Sequence, residues 1–190
     1  MALLEAHAAA MDSFDRVLRE VGTEAWRLPT PCREWTVRDL VNHLTAEQLW
    51  VPHLLAGATM DDVGDRFDGD VLGDDPLKTW EQAAAAAREA FHEPGVLTRN
   101  VQVSSGLIEC SDYGWQMTID LAVHAWDLAT AIGRPNPIDP FVAAELLEVL
   151  RPQLDEWQGL GIFDPPVAVS RTADAPTRLV ALLGRRPYRA

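Results

Sequence analysis

Hydrophobic residues recur at intervals of three and four along most of this chain, which is typical of amphipathic helices. The first pattern covers residues 2–21 and ends at Gly22. Further patterns predict helices over residues 36–50, 76–92 and 112–132. Four long helices joined by one long connection predict an all-α fold, a four-helix bundle.

Local signals place the ends of two of these helices. Thr36 is suited to cap the second helix, with Asp39 three residues later as a variant of the capping box. Pro52 predicts that this helix ends near Trp50, because proline disturbs a helix interior. Asp75 followed by Pro76 is typical of the start of a helix.

The remaining segments predict additions to the bundle. Residues 57–75 are rich in Gly and Asp and predict a long, acidic, mobile connection, and residues 101–108 suggest a short strand and turn. A fifth helix is expected to begin at Asp139-Pro140, with strain at Pro152, and a last short helix covers 176–184. We expect a single domain over residues 1–190.

Charge excludes several classes of partner. The formal net charge is -13 and the sequence pI is near 4.6, so phosphate backbones and anionic lipid surfaces are repelled. We therefore expect no nucleic acid and no membrane partner. The acidic start of the chain does not resemble a signal peptide, and Cys32 and Cys110 match no zinc or redox spacing. These features favour a reduced, cytoplasmic protein.

The fourth helix carries the most informative chemical pattern. Asp120 and His124 are four residues apart, so they stand above one another on one helix face, where two such groups can hold one metal ion. Asp120 and His124 belong to a polar stripe along this helix, which also contains Asp112, Gln116 and Asp127. The alternative is that this stripe is only the solvent-facing edge of an otherwise apolar helix.

A third ligand could come from the second helix. His43 lies at the border of that helix's apolar face, where a histidine is more often a hydrogen-bonded boundary residue than a ligand. Glu47, one turn further, is a candidate fourth ligand or general base, and Asp127 is a candidate to support a ligand through a hydrogen bond. The other histidines are expected at the surface: His7, His53 and His92.

Tryptophan is frequent for one domain. Core packing explains most of these residues, and one or two could wall an apolar substrate pocket. The tryptophans are Trp26, Trp35, Trp50, Trp80, Trp115, Trp126 and Trp157. No glycine-rich nucleotide motif and no nucleophile elbow is present in the sequence.

Two blocks resemble a known family. The string from Thr30 to Leu44, TPCREWTVRDLVNHL, and the string from Asp120 to Ala129, DLAVHAWDLA, look like the DinB-like metal-binding domain of mycothiol-dependent maleylpyruvate isomerase. The ending RLVALLGR, residues 178–185, resembles short actinobacterial members. We expect a member without the isomerase's additional C-terminal domain.

The resemblance implies a DinB-like bundle that holds a divalent metal through His43, Asp120 and His124. Relatives often have Glu or His where this chain has Asp120, whose side chain is one methylene shorter than that of Glu. Two imidazoles and a carboxylate suit zinc best, with nickel or iron as alternatives. The expected function is a metal-dependent S-transferase that uses mycothiol or another low-molecular-weight thiol on small electrophiles.

Other functions stay open at this point. An exposed metal position could activate water in a hydrolase, or the bundle could be a non-catalytic, metal-stabilised or ligand-sensing protein. A small-molecule substrate is the expected partner of an enzyme. A homodimer is compatible with an acidic bundle that has apolar edges.

Overall fold

The computed structural model describes residues 1–152 and 163–187. The chain contains seven helices in this part, with bounds at Leu3–Leu18 (α1), Val37–Leu55 (α2), Met60–Val63 (α3), Pro76–Phe91 (α4), Cys110–Ala131 (α5), Pro140–Leu150 (α6) and Ala175–Leu182 (α7). Short 3-10 helices cover Thr23–Arg27 and Val96–Thr98.

The four long helices form the predicted bundle, so the all-α four-helix prediction is confirmed. Helix α1 packs along α5, α2 packs along α4, and α2 also contacts α5. Helices α6 and α7 pack against each other, and α6 also contacts α1 and α5. None of the helices described is long and apolar enough to cross a membrane.

An antiparallel hairpin leads into α5. Strand β1 (Asn100–Val103) pairs with β2 (Gly106–Glu109), and Val101 faces Ile108 in the register. The strand and turn expected here are therefore present. The last residue of β2 is also the N-cap of α5, so the hairpin fixes where α5 enters the bundle.

Helix α5 is the central element of the fold. All nine residues from 121 to 129 are buried, because α1, α2 and the later helix α6 cover it on several sides. A helix that is apolar over most of its surface is expected at such a position. Polar groups on its buried length must therefore find partners inside the protein.

Helix α2 runs further than the sequence predicts. The capping box forms as expected, with the backbone N–H of Thr36 donating to the Asp39 carboxylate at 2.8 Å. The expectation of an end near Trp50 is wrong, because α2 continues through Pro52 to Leu55. A proline removes one backbone donor, and the helical bonds resume after it, with Ala56 N donating to Pro52 O at 3.1 Å.

The acidic connection is anchored rather than free. Asn42 on α2 donates to the carbonyl of Gly69 at 2.8 Å and accepts from the N–H of Val71 at 2.8 Å. Leu72 is only 1% exposed, and α3 lies within the same segment. Helix α2 therefore supplies hydrogen-bond partners to this part of the connection, and the mobility expected for it stays a prediction.

Of the other sequence predictions, some are confirmed and some are wrong. Helix α6 ends at Leu150, before Pro152, and Trp157 lies outside the described residues. His92 is exposed, as expected. The surface position expected for His7 is wrong, because its side chain is buried against the ring of Phe91, with 4.8 Å between ring centroids.

Burial of His7 makes the fold sensitive to acid. Burial, together with the charges of Arg88 and His92, lowers the pKa of His7 from 6.5 to about 4. Because the pKa of His7 is lower in the folded state, the neutral side chain stabilises the fold fully above pH 6.5. This stabilisation is lost as the pH falls toward 4. At pH 5 the loss should be about 2 kcal/mol of the free energy of unfolding.

We expect His7→Leu to reduce the difference in unfolding free energy between neutral pH and pH 5, measured by urea denaturation. The matched control is His53→Leu, which removes a partly exposed histidine that does not contribute to the shift in the pKa of His7, and it should keep the difference. An equal pH dependence in the native protein and in His7→Leu would contradict a neutral, buried His7.

Candidate metal centre

The contact between α2 and α5 brings the three predicted ligands together. Nε2 of His43 lies 3.3 Å from Oδ2 of Asp120, and Nε2 of His124 lies 3.2 Å from Oδ1 of the same carboxylate. One possible ligand atom from each residue falls within a group whose members lie within 4.8 Å of one another. Metal binding by this group stays a prediction.

Part of the polar stripe of α5 is buried at the site. His124 is 7% exposed and Asp127 is fully buried, while Asp112 near the helix start is exposed. The alternative of a purely solvent-facing stripe is therefore wrong for its second half. A buried imidazole between carboxylates needs an explanation in terms of hydrogen bonding, a metal, or both.

The spacing of donor atoms fits a tetrahedral ion. Ligand atoms about 2.0–2.1 Å from a tetrahedral zinc ion lie about 3.3–3.4 Å apart. The Nε2 atoms of His43 and His124 lie 3.3 and 3.2 Å from Asp120, close to that value, with each distance measured to a different oxygen of the carboxylate. The shorter aspartate side chain thus reaches both histidines.

One oxygen of Asp120 also lacks a hydrogen bond. Oδ2 is shielded from solvent and has no hydrogen-bond partner among the described residues. Nε2 of His43 is near, but the contact does not have the alignment of a hydrogen bond. A buried carboxylate oxygen beside an imidazole nitrogen, each with a lone pair to offer, is suited to share a cation.

Asp127 lies behind His124, where the sequence placed it as a supporting residue. The Nδ1 atom of His124 lies 3.0 Å from Oδ2 of Asp127. A carboxylate can only accept, so we assign the ring proton to Nδ1. This tautomer leaves the lone pair of Nε2 directed toward Asp120 and His43, as in carboxylate–histidine–zinc arrangements.

Two further residues of this cluster were not found by sequence reasoning. Arg185 contacts both oxygens of Asp127, with Nη2–Oδ2 at 2.8 Å and Nε–Oδ1 at 3.3 Å. The thiol of Cys32 donates to Asp127 Oδ2 at 3.2 Å and lies 3.7 Å from His124 Nδ1. Their only sequence signal was that Cys32 lies in the block 30–44 and Arg185 in the ending 178–185, which both resemble relatives, and no spacing rule joins them.

Opposite charges hold these buried groups in their ionised forms. Burial alone would raise the pKa of Asp120, but the charge and hydrogen bond of His124 and the contact with His43 outweigh it and lower that pKa. Burial opposes charge on His124 as well, yet the two carboxylates raise its pKa well above 6.5. These contacts favour the charged form of His124 when no metal is bound, so a metal that binds at Nε2 would displace the proton from that atom.

Glu47 lies beside the centre without joining it. Burial raises the pKa of its carboxyl, and the negative charge of Asp120 adds to that effect. Among the described residues it belongs to neither group of clustered ligand atoms. Its position suits an acid or base near the site better than a fourth ligand.

The three ligands face a cleft of about 840 Å³. Trp35 and Trp126 form part of its wall, which agrees with the expectation that one or two tryptophans border a pocket. The ring of Trp35 also packs against those of His43 and His124, at centroid distances of 4.9 and 5.8 Å. The remaining described lining consists of Pro29, Thr30, Pro31, Cys32, Arg33, Thr130, Ala131, Phe163, Asp164, Gly184, Arg185 and Arg186.

The fold agrees with comparisons to other proteins. The model of the family "Mycothiol maleylpyruvate isomerase N-terminal domain" matches residues 7–129, and the chain belongs to this family. The matched range includes His43, Asp120 and His124, whereas Arg185 lies beyond it.

The similar proteins are of two kinds. Rv0738 and MT0763, from two strains of Mycobacterium tuberculosis, are each 32% identical over 184 residues, covering 96% of this chain and 97% of theirs. Crystal structures of the mycothiol-dependent maleylpyruvate isomerase and of its histidine-to-alanine variant have TM-scores of 0.64 and 0.66. At 16% identity, over 85% of this chain and 73% of theirs, they show a shared fold.

We expect His43→Ala and His124→Ala each to lower zinc affinity at least 10-fold, because each removes one of three ligands. Competition with a chromophoric chelator measures this affinity. His53→Ala is the matched control, since it removes a partly exposed histidine from the same helix. Full zinc affinity in both ligand variants would show that the site is wrong.

Proposed function

We propose that this protein is a divalent-metal-dependent S-transferase that uses a low-molecular-weight thiol on small electrophiles. The observation that supports the proposal is that possible ligand atoms of His43, Asp120 and His124 lie within 4.8 Å of one another at the wall of an open cleft. Three protein ligands leave room for an exchangeable ligand, which is the arrangement of catalytic rather than structural zinc sites.

The donor set fits zinc, with nickel or iron as alternatives. Two imidazole nitrogens and one carboxylate oxygen match catalytic zinc sites in number and type. A bound divalent ion would supply Lewis acidity, which deprotonates a coordinated thiol near neutral pH.

The chain's own residues orient and shield this chemistry. Asp127 fixes the tautomer of His124, and the buried contact between α2 and α5 holds His43 opposite it. Trp35 packs over both imidazoles and limits the directions from which solvent approaches. The cleft has apolar walls at Trp35, Trp126 and Phe163 and is otherwise lined largely by polar and charged residues, which suits a small organic substrate that carries polar groups.

Mycothiol is the thiol that the relatives favour. The family and both solved structures are named for a mycothiol-dependent isomerase. Those names support the use of this thiol by our chain, but they do not identify its electrophilic substrate.

One observation favours a second candidate, a metal-dependent hydrolase. The carboxyl group of Glu47 lies beside the centre, and its raised pKa suits proton transfer to or from water. A non-catalytic bundle is less favoured, because Glu47 does not complete the group of clustered ligand atoms.

Cobalt-substituted protein tests the transferase proposal. We expect titration with mycothiol, or with simple thiols, to produce a sulfur-to-cobalt charge-transfer band. The band should also form in Cys32→Ser, which excludes the protein's own nearby thiol as its source. Asp120→Ala should abolish the band. Asp112→Ala is the matched control, because it removes an exposed carboxylate from the same polar stripe, and it should keep the band.

Absence of a spectral change with any thiol would contradict the transferase. Turnover of an ester or amide by the zinc protein would then favour the hydrolase. If neither thiol binding nor turnover is observed, the non-catalytic bundle becomes the better account.

A further inference from the structure

His124 belongs to two overlapping groups of metal-type ligands. Its Nε2 atom faces Asp120 and His43, and its Nδ1 atom faces Asp127 and Cys32. In each group the possible ligand atoms lie within 4.8 Å of one another. A neutral imidazole has one proton and one lone pair, so a metal on one nitrogen requires the proton to stay on the other.

By donor chemistry alone, the second group is the stronger zinc site. It offers a cysteine sulfur, an imidazole nitrogen and a carboxylate oxygen, and thiolate is a softer and tighter ligand for zinc than a second imidazole. Its carboxylate, that of Asp127, is fully buried and so requires a positive partner. Some feature must therefore direct the ion to the group of His43, Asp120 and His124.

Arg185 occupies the second group. Its guanidinium contacts both oxygens of Asp127, and its Nη2 atom lies 3.7 Å from the sulfur of Cys32. An arginine cannot lose its proton in this setting, and burial is offset by the charge of Asp127. An incoming cation would meet a fixed positive charge and no free oxygen on the carboxylate.

The backbone around Arg185 holds the guanidinium in place. Gly184 has a φ of 80°, and a Cβ atom there would lie 2.5 Å from the backbone oxygen of Asp164. This close approach favours glycine and sets the direction in which the next side chain leaves. The guanidinium also donates to the carbonyl of Leu183 at 3.1 Å and lies over the ring of Phe163, at 5.7 Å from its centroid.

We propose that Arg185 determines which side of His124 binds the metal. Its guanidinium acts as a built-in cation in the group formed by Cys32, His124 Nδ1 and Asp127. By filling that group, it leaves the group of His43, Asp120 and His124 Nε2 as the one that can accept an ion. This inference rests on the proposed metal centre, and it makes Arg185 a positioning and specificity-determining residue.

Cobalt spectra without any added thiol test this assignment. We expect the native protein to bind cobalt without a sulfur-to-cobalt band. Arg185→Ala should gain that band, because Cys32 becomes a ligand once the guanidinium is gone. The double variant Arg185→Ala with Cys32→Ser should lose it again. Arg178→Ala is the matched control, because it removes an exposed arginine that does not line the cleft, and it should match the native spectrum.

Arg185→Gln keeps much of the side chain without its charge and carries the same expectation if Arg185→Ala does not fold, as judged by circular dichroism. A native-like spectrum in a folded Arg185 variant would overturn the inference, as would a Cys32-dependent band in the native protein. If the native protein binds no cobalt but the Arg185 variant shows the band, the assignment of Arg185 stands and the proposed function fails. If neither binds cobalt, both fail.

Discussion

The buried imidazole of His124, with a carboxylate on each side, is the interaction on which the centre depends. Asp120 lies at one ring nitrogen, at 3.2 Å, and Asp127 lies at the other, at 3.0 Å. Removing one partner from such a buried charged group costs about 3–5 kcal/mol, because the remaining charge is left uncompensated. The elements that supply the partners of both carboxylates are therefore as important for the stability of the centre as the predicted ligands.

These partners come from distant parts of the chain. His43 on α2 approaches Asp120, and Arg185, after α7, approaches Asp127. Helix α5 is buried along this length, so water cannot replace a missing partner easily. Burial makes an unpaired polar group energetically unfavourable. It also restricts the positions that these side chains can adopt, which a preorganised metal site requires.

Sequence patterns predicted the parts of this arrangement that depend on local spacing. The four long helices follow from their apolar periodicity, the cap of α2 follows from Thr36 and Asp39, and the support of His124 by Asp127 follows from their separation of three residues. His7 was misjudged although it shares a helix face with the buried Met11 and Phe14, so a signal for its burial was present.

Other features could not be predicted because they depend on tertiary contacts. Cys32 and Arg185 are 153 residues apart, yet they contact each other directly and both contact Asp127. The continuation of α2 through Pro52 is a case in which packing overrides a local helix-breaking tendency, since residues on both sides of the proline are buried. The anchoring of the acidic connection likewise depends on one side chain of α2, Asn42.

The central claim is that His43, Asp120 and His124, and not Cys32, hold a divalent ion. X-ray absorption at the zinc edge of the zinc-loaded native protein, free of added thiol, tests it most directly. The account predicts a first shell of nitrogen and oxygen atoms only, at about 2.0–2.2 Å. A sulfur neighbour at about 2.3 Å would contradict it, because the zinc would then be bound through Cys32.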